Sequence, residues 1–307
     1  MAISAAMVKE LREKSGAGMV DCKNALTATE GDLEKAMEFL REKGLAAAAK
    51  KSGRIAAEGL VMAFVSDDGA RGSIVEVNSE TDFVGKNQDF RTFVEQVAQL
   101  AMKSPDSDME SFVEEPWING DYATIKEALT NKIAVIGENL SIRRKQVYVK
   151  QGGGAVVPYI HGGGRVAVLI ELVCDKASDA VVEAGKNLAM QIAAMSPKFV
   201  NRGDVPQDFI DKEREILKQQ ALNEGKPEKI VEKMVEGRLT KALMDFCLLE
   251  QEYVKDGELS VAKYLEAVGK EVGAPVSVKH FVRYETGEGI EKKEENFAEE
   301  VSKAMQG

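Results

Sequence analysis

Three cysteines, two histidines and 51 carboxylates are the groups in this 307-residue chain with the chemistry to hold a metal, attack a carbonyl or move a proton. Cys22, Cys174 and Cys247 are too far apart for a zinc-site spacing or a disulfide frame, and they read as free thiols in a reducing compartment. Cys22 falls on the apolar face of a short helix, which makes it a core residue rather than a nucleophile. His161 and His280 leave little room for a His-based metal centre, so neither a metal nor a cofactor is expected. His161 ends a strand beside Gly162-Gly163-Gly164. A general base there needs a nucleophile as neighbour, and none is identifiable, so an interaction role is the stronger reading. No carboxylate pair is marked by a cleft that would drive two pKa values apart. Gly152-Gly153-Gly154 and Gly162-Gly163-Gly164 lack both the Walker spacing and the dinucleotide pattern. The first reads as a linker and the second as a hairpin turn. No catalytic residue is assigned.

One stretch does not fit a plain scaffold. Glu76-Val77-Asn78-Ser79-Glu80-Thr81-Asp82-Phe83-Val84 begins as a strand, with Ile74, Glu76 and Asn78 on one face and Val75 and Val77 on the other. It then breaks into polar residues and presents Phe83 between Asp82 and Val84. Two readings are open. Phe83 folds back into the core, as most Phe do. Alternatively, a loop tip carries Asp82 and Phe83 into another protein.

The elements that must position this stretch belong to an acidic, water-soluble chain. Hydrophobic residues make up 44% and charged residues 30%, with a net charge of −10. Residues 1–54 carry ten Lys and Arg against eight Asp and Glu, so the front is +2 and the remainder −12. That balance argues against nucleic-acid binding, which needs clustered cations. No apolar run approaches the length of a membrane span, and the start lacks a signal-peptide pattern, so a cytoplasmic protein is expected.

Ser4 is a plausible N-cap for a first helix, and Met7, Val8 and Leu11 form its stripe. Met19, Cys22, Ala25 and Leu26 share a face of a second, and Leu33, Ala36, Met37 and Leu40 of a third, capped at Lys43-Gly44. Ala46–Arg54 has no apolar stripe beyond Ala and reads as a linker, with a part-helical form left open. Beyond it the chain repeats itself. Leu60–Val65, Asp67-Asp68-Gly69 and Gly72–Asn78 make a strand, a turn and a returning strand, as do Ala155–His161, Gly162–Gly164 and Val166–Cys174. Glu76 matches Glu171 at an offset of 95, and Gly137 matches Gly273 at 136, so the second copy carries an insertion of 41 residues. Each copy reads hairpin, helix, helix, strand: a three-stranded antiparallel sheet with helices on one face, an α+β fold. The insertion reads as two antiparallel helices meeting at Glu224-Gly225-Lys226. The tail closes on Phe297, Val301 and Met305, a helical i, i+4, i+8 stripe that must dock on this chain or on a partner. The expected domains are 1–54, 55–150, 151–284 with the helical hairpin at about 206–250, and 285–307.

Several stretches in order resemble the translation elongation factor Ts family, bacterial-type guanine-nucleotide exchange factors. These are Leu11–Met19 with Asp21–Leu26, Glu76–Val84, Lys233–Arg238 and Gly287–Lys292. Gly85 departs from the family, which usually has Ala or Ser there. The resemblance implies an amino-terminal three-helix module like ubiquitin-associated domains, a two-part core, a coiled-coil arm and a carboxy-terminal module. It implies elongation factor Tu, a GTPase, as partner, in a one-to-one or two-to-two complex. Thr81, Asp82, Phe83 and Val84 would displace Mg²⁺ from the partner's nucleotide site. The amino-terminal module, with Lys23 and Asn24, and the tail, with Phe297, Val301 and Met305, would hold the GTP-binding domain. The region of His161 would meet another domain of the partner. On this reading the chain is an exchange factor without covalent chemistry, not an enzyme. A plain adaptor is the alternative, distinguished by having no use for the 81–84 element; intrinsic acid/base turnover is a third and weaker one.

Overall fold

The computed structural model describes residues 3–104, 108–118 and 120–291. The fold is α+β, built from helices and small sheets. Two compact units emerge. One comprises the described residues of 1–62, 75–145 and 285–291; the other comprises 63–74 and 146–284.

The first unit begins with three helices: α1 (Ala5–Ser15), α2 (Met19–Ala28) and α3 (Leu33–Lys51). Ser4 accepts the Met7 amide as the N-cap of α1, and Gly16 ends it in the left-handed region at φ 67°. Leu11, Cys22, Ala25, Leu26 and Ala36 are fully buried together. Met19, expected on the buried face of α2, is instead exposed, because it opens the helix next to the Gly18 cap. Gly44 does not end α3. The alanines after it have the highest helix propensity, so the helix runs on through Lys51. A Cβ at Gly44 would lie 3.5 Å from the Ala134 Cβ, so α3 closes tightly on another helix of the same unit.

Strands β1 (Glu58–Val65) and β2 (Arg71–Ser79) form a hairpin closed by the Ser66 amide on the Arg71 carbonyl. Then come α4 (Asp82–Lys86), α5 (Gln88–Lys103), α6 (Met109–Val113), α7 (Ile125–Ile136) and β3 (Ser141–Val149), and the sheet order is β1-β2-β3. The strongly amphipathic α5 buries Phe90, Phe93, Val94, Val97 and Leu100.

The second copy follows as β4 (Ala155–His161), β5 (Val166–Val173), α8 (Asp179–Met195), α9 (Gln207–Asn223), α10 (Glu228–Phe246), β6 (Glu252–Tyr253), β7 (Asp256–Ser260), α11 (Val261–Val272) and β8 (Ser277–Glu285). Its sheet order is β4-β5-β8, matching the first copy. Val168, Ile170 and Leu172 of β5 alternate onto one face, where they meet Val181, Ala184, Leu188 and Ile192 of α8. The α9–α10 hairpin buries a narrow seam of Leu217, Ala221, Val231, Val235, Leu239 and Leu243 and turns at Gly225. The short strands β6 and β7 escape sequence reasoning because two to five residues with a turn carry no clear period.

Gly185 shows how closely α8 sits on its sheet. A Cβ there would fall 2.5 Å from Val157 Cγ2. Gly185→Ala is expected to destabilise by about 1–3 kcal/mol through overpacking, despite its gain in helix propensity. Urea unfolding of the full chain measures it.

Candidate functional site

Phe83 stands 77% exposed, the most exposed large hydrophobic side chain among the described residues. It does not ride on a loose loop. Residues 82–86 form α4, with Thr81 as its N-cap residue in extended conformation. Val84, next to it in the helix, is buried and anchors α4. Gly85 is buried as well; a Cβ there would come 3.0 Å from the Gly59 carbonyl oxygen, so α4 rests against strand β1. Arg91 donates to the Gly85 carbonyl at 3.2 Å, and Asn87, which ends α4, caps α5 through its side chain.

The segment leading into α4 is equally fixed. Ser79 Oγ donates to the Thr81 carbonyl at 2.9 Å. The Glu138 carboxylate accepts the Glu80 and Thr81 amides, each at 3.0 Å, and the Thr81 hydroxyl at 2.6 Å. The Glu80 carboxylate in turn accepts the Asn139 amide at 2.6 Å. Asp82 points outward and pairs with Lys86 at 2.6 Å; that hydrogen bond and charge hold its carboxyl below the usual carboxylate range. The Lys86 ammonium also lies 5.5 Å from the Phe83 ring centre. A shallow cleft of about 310 Å³ runs beside the ring, lined by Val84, Asn87, Asp89, Lys132, Val135 and Ile136. The site therefore offers an aromatic projection with a carboxylate beside it on a backbone tied at both ends. It is suited to insertion into another surface rather than to bond making.

The structure resolves the two readings of Phe83 in favour of exposure. Thr81, Asp82, Phe83 and Val84 stand together, with Val84 the inward anchor. Lys23 and Asn24 are exposed on α2, near the exposed Met19 and Val20 in sequence. His161 is exposed at the end of β4, paired with Val166 across the hairpin, and its Nδ1 lies 3.2 Å from the Tyr159 hydroxyl. It belongs to the second unit. Phe297, Val301 and Met305 lie outside the described residues. Sequence reasoning missed Glu138, 57 residues from Thr81, for which no local signal exists. It also missed Lys86, whose i, i+4 spacing from Asp82 was available as a helix signal. Among the described residues no group of His, Cys, Asp and Glu is arranged to hold a metal ion, and no helix is long and apolar enough to cross a membrane.

Comparison with known proteins gives the family of the chain. The family profile described as Elongation factor TS matches residues 80–288, a span that opens at the segment feeding α4. Elongation factor Ts of Clostridium botulinum (strain Eklund 17B / Type B) is 56% identical over 303 residues, covering 99% of each chain. That of Clostridium tetani (strain Massachusetts / E88) is 55% identical over 305 residues, covering 99% of this chain and 100% of its own. That of Clostridium perfringens (strain 13 / Type A) is 56% identical over 301 residues, 98% of each. The chain belongs to the elongation factor Ts family. Membership makes it a translation elongation factor of the nucleotide-exchange class.

Proposed function

We propose that this chain binds GDP-loaded elongation factor Tu and speeds nucleotide release by driving Phe83 and Asp82 toward the partner's Mg²⁺-bound phosphates. The observation that supports this is the 77% exposed Phe83 on a hydrogen-bonded, buried-backed helix. A GTPase of this class grips GDP through backbone amides, a Lys and a hydroxyl-held Mg²⁺, so release is slow because these contacts break together. A ten-thousandfold acceleration takes about 5.5 kcal/mol off the barrier. Burying one Phe supplies roughly 1.5–3 kcal/mol of that, and the rest comes from the wider interface. Phe83 wedges between elements of the partner and shifts the groups around the metal. Asp82, released from Lys86, reorients polar groups there without having to ligate the ion itself.

Linkage makes the effect reciprocal. A factor that weakens nucleotide binding is weakened by nucleotide in the same ratio, so incoming GTP expels it and no covalent step is needed. Lys23 and Asn24 on α2, and the tail stripe, hold the GTP-binding domain in this reading. The region of His161 holds a different domain of the partner. Stopped-flow release of fluorescent GDP from purified elongation factor Tu tests the proposal: the off-rate should rise and saturate with added protein. A complex that forms without changing the off-rate would leave an adaptor instead.

His161 separates affinity from exchange. Its ring stacks beside Tyr159 at 6.1 Å between centroids and takes no part in the α4 site. His161→Ala is expected to weaken binding by up to roughly tenfold, the scale of one lost polar contact, with the off-rate at saturation unchanged. Titrating the same release assay reads both quantities.

A further inference from the structure

We infer that Glu138 is a positioning residue for the exchange element, aiming Phe83 through Thr81 without itself belonging to the inserted tip. The inference rests on the exchange reading above. Four hydrogen bonds tie residues 80–81 to residues 138–139: the Glu80 amide, the Thr81 amide and the Thr81 hydroxyl on the Glu138 carboxylate, and the Asn139 amide on the Glu80 carboxylate. Three of them converge on one ionised side chain, and hydrogen bonds to a charged acceptor are the strong ones. Thr81 is the residue from which α4 starts, so fixing its backbone and its hydroxyl fixes the direction in which the five-residue helix leaves β2.

Glu138 is aimed in its turn. It follows Gly137, which ends α7 in the left-handed region at φ 85°. The last turns of α7 supply Lys132, Val135 and Ile136 to the cleft beside Phe83. The same helix therefore walls the cleft and holds the hinge of the element that projects from it. α7 is also tied to the three-helix bundle of its unit, where Asn131 donates to the Ser15 carbonyl at 3.1 Å and Arg41 pairs with Glu127. A wedge that must enter a packed partner gains from being held in its inserted geometry beforehand, because flexibility lost on insertion slows the productive event.

The test measures GDP release from elongation factor Tu with the wild-type chain, Glu138→Ala and Glu138→Gln. Amide hydrogen exchange on the free proteins accompanies it. Glu138→Ala should lower the saturating release rate by about tenfold while the half-saturating concentration moves less than about twofold. Glu138→Gln, whose amide oxygen can still accept the Glu80 and Thr81 amides while its NH2 donates to the Thr81 hydroxyl, should recover part of that loss. The Glu80 and Thr81 amides should exchange faster in Glu138→Ala, with Val75 and Val77 of β2 unchanged. A wild-type saturating rate in Glu138→Ala, or unaltered exchange of the two amides, overturns the inference. So does protection lost along all of β2, since Glu138 would then be a stabilising residue only. A wild-type chain that leaves GDP release unaltered sinks the exchange reading and this inference with it. That result is visible before any variant is measured, so the two failures are distinct.

Discussion

Phe83→Ala should lower the saturating rate of GDP release roughly ten- to a hundredfold, the rate equivalent of about 1.5–3 kcal/mol of aromatic burial made only in the complex. It should leave folding stability within about 0.5 kcal/mol of wild type, because the ring is 77% exposed and contributes to no core. The two halves of the expectation test different things. If exchange were unchanged and stability fell by several kcal/mol, Phe83 would be a core residue and the wedge would not exist. If neither changed, the ring would be idle and another part of the interface would carry the exchange. On the proposed reading the variant should still form the complex, since the contacts assigned there to Lys23, Asn24 and His161 lie elsewhere. Stopped-flow release and urea unfolding on the same preparation settle both halves.

How much of this site was legible in the sequence depends on the range of the interaction that builds it. The repeat was legible because it rests on period and spacing. Glu76 and Glu171 occupy the same place on the middle strand of their sheets, and Gly137 and Gly273 end matching helices in the left-handed region. The bundle core was legible for the same reason, with Leu11, Cys22, Ala25, Leu26 and Ala36 all buried where the helical stripe put them. The α9–α10 hairpin was legible as two antiparallel helices, and of their apolar residues Ile216 and Ile230 are half exposed, because a two-helix hairpin has room for only one narrow buried row. What was not legible is the state of Phe83. Its local sequence allows a strand end folded inward or a projecting tip. The choice is made by the burial of Val84, by Gly85 docking on β1 and by Glu138 arriving from 57 residues away, none of which leaves a local pattern. Gly85 is a case in point. As a loop glycine it would loosen the element, but it sits inside a helix at a contact where a Cβ would be only 3.0 Å from a backbone oxygen.

The other large effect belongs to the base of the same strand. Glu76 is completely buried on β2. Its carboxylate accepts Asn78 Nδ2 at 2.9 Å, the Gly287 amide at 2.8 Å, Arg143 Nη1 at 3.1 Å and the Nε of Arg144. Arg144 also reaches Glu288 at 3.1 Å, so the group ties the strand that leads to α4 to the Gly287–Glu288 turn. Gly287 fits there because its φ is +72° and a Cβ would fall 2.0 Å from the Ala57 carbonyl oxygen. In the second copy Glu171, equally buried, is held by Lys279 at 3.3 Å and lies 2.7 Å from His280 Nε2. Glu76→Ala removes the carboxylate on which Arg143, Arg144, Asn78 and the buried Gly287 amide converge, leaving Arg144 its outer partner Glu288, and is expected to cost about 3–5 kcal/mol, a large share of the roughly 5–15 kcal/mol that holds a domain together. Burial by itself would raise the Glu76 pKa, but the hydrogen bonds from Asn78 and Gly287 and the Arg144 charge outweigh it, and the pKa falls below its ordinary value of 4.5. A depressed carboxylate pKa means that the unfolded chain takes up its proton first on acidification. The contribution of Glu76 is therefore whole above about pH 4.5 and is lost as pH drops through the lower, folded value. Glu76→Gln, which keeps the shape and loses the charge, should be less stable than wild type at pH 7, with the gap narrowing below pH 4.5, where the unfolded chain takes up the proton before the native carboxylate does. Urea denaturation from pH 7 down to pH 3 measures that gap. A difference that stays constant across the range would mean that the network is held by its shape alone and that its charge is incidental.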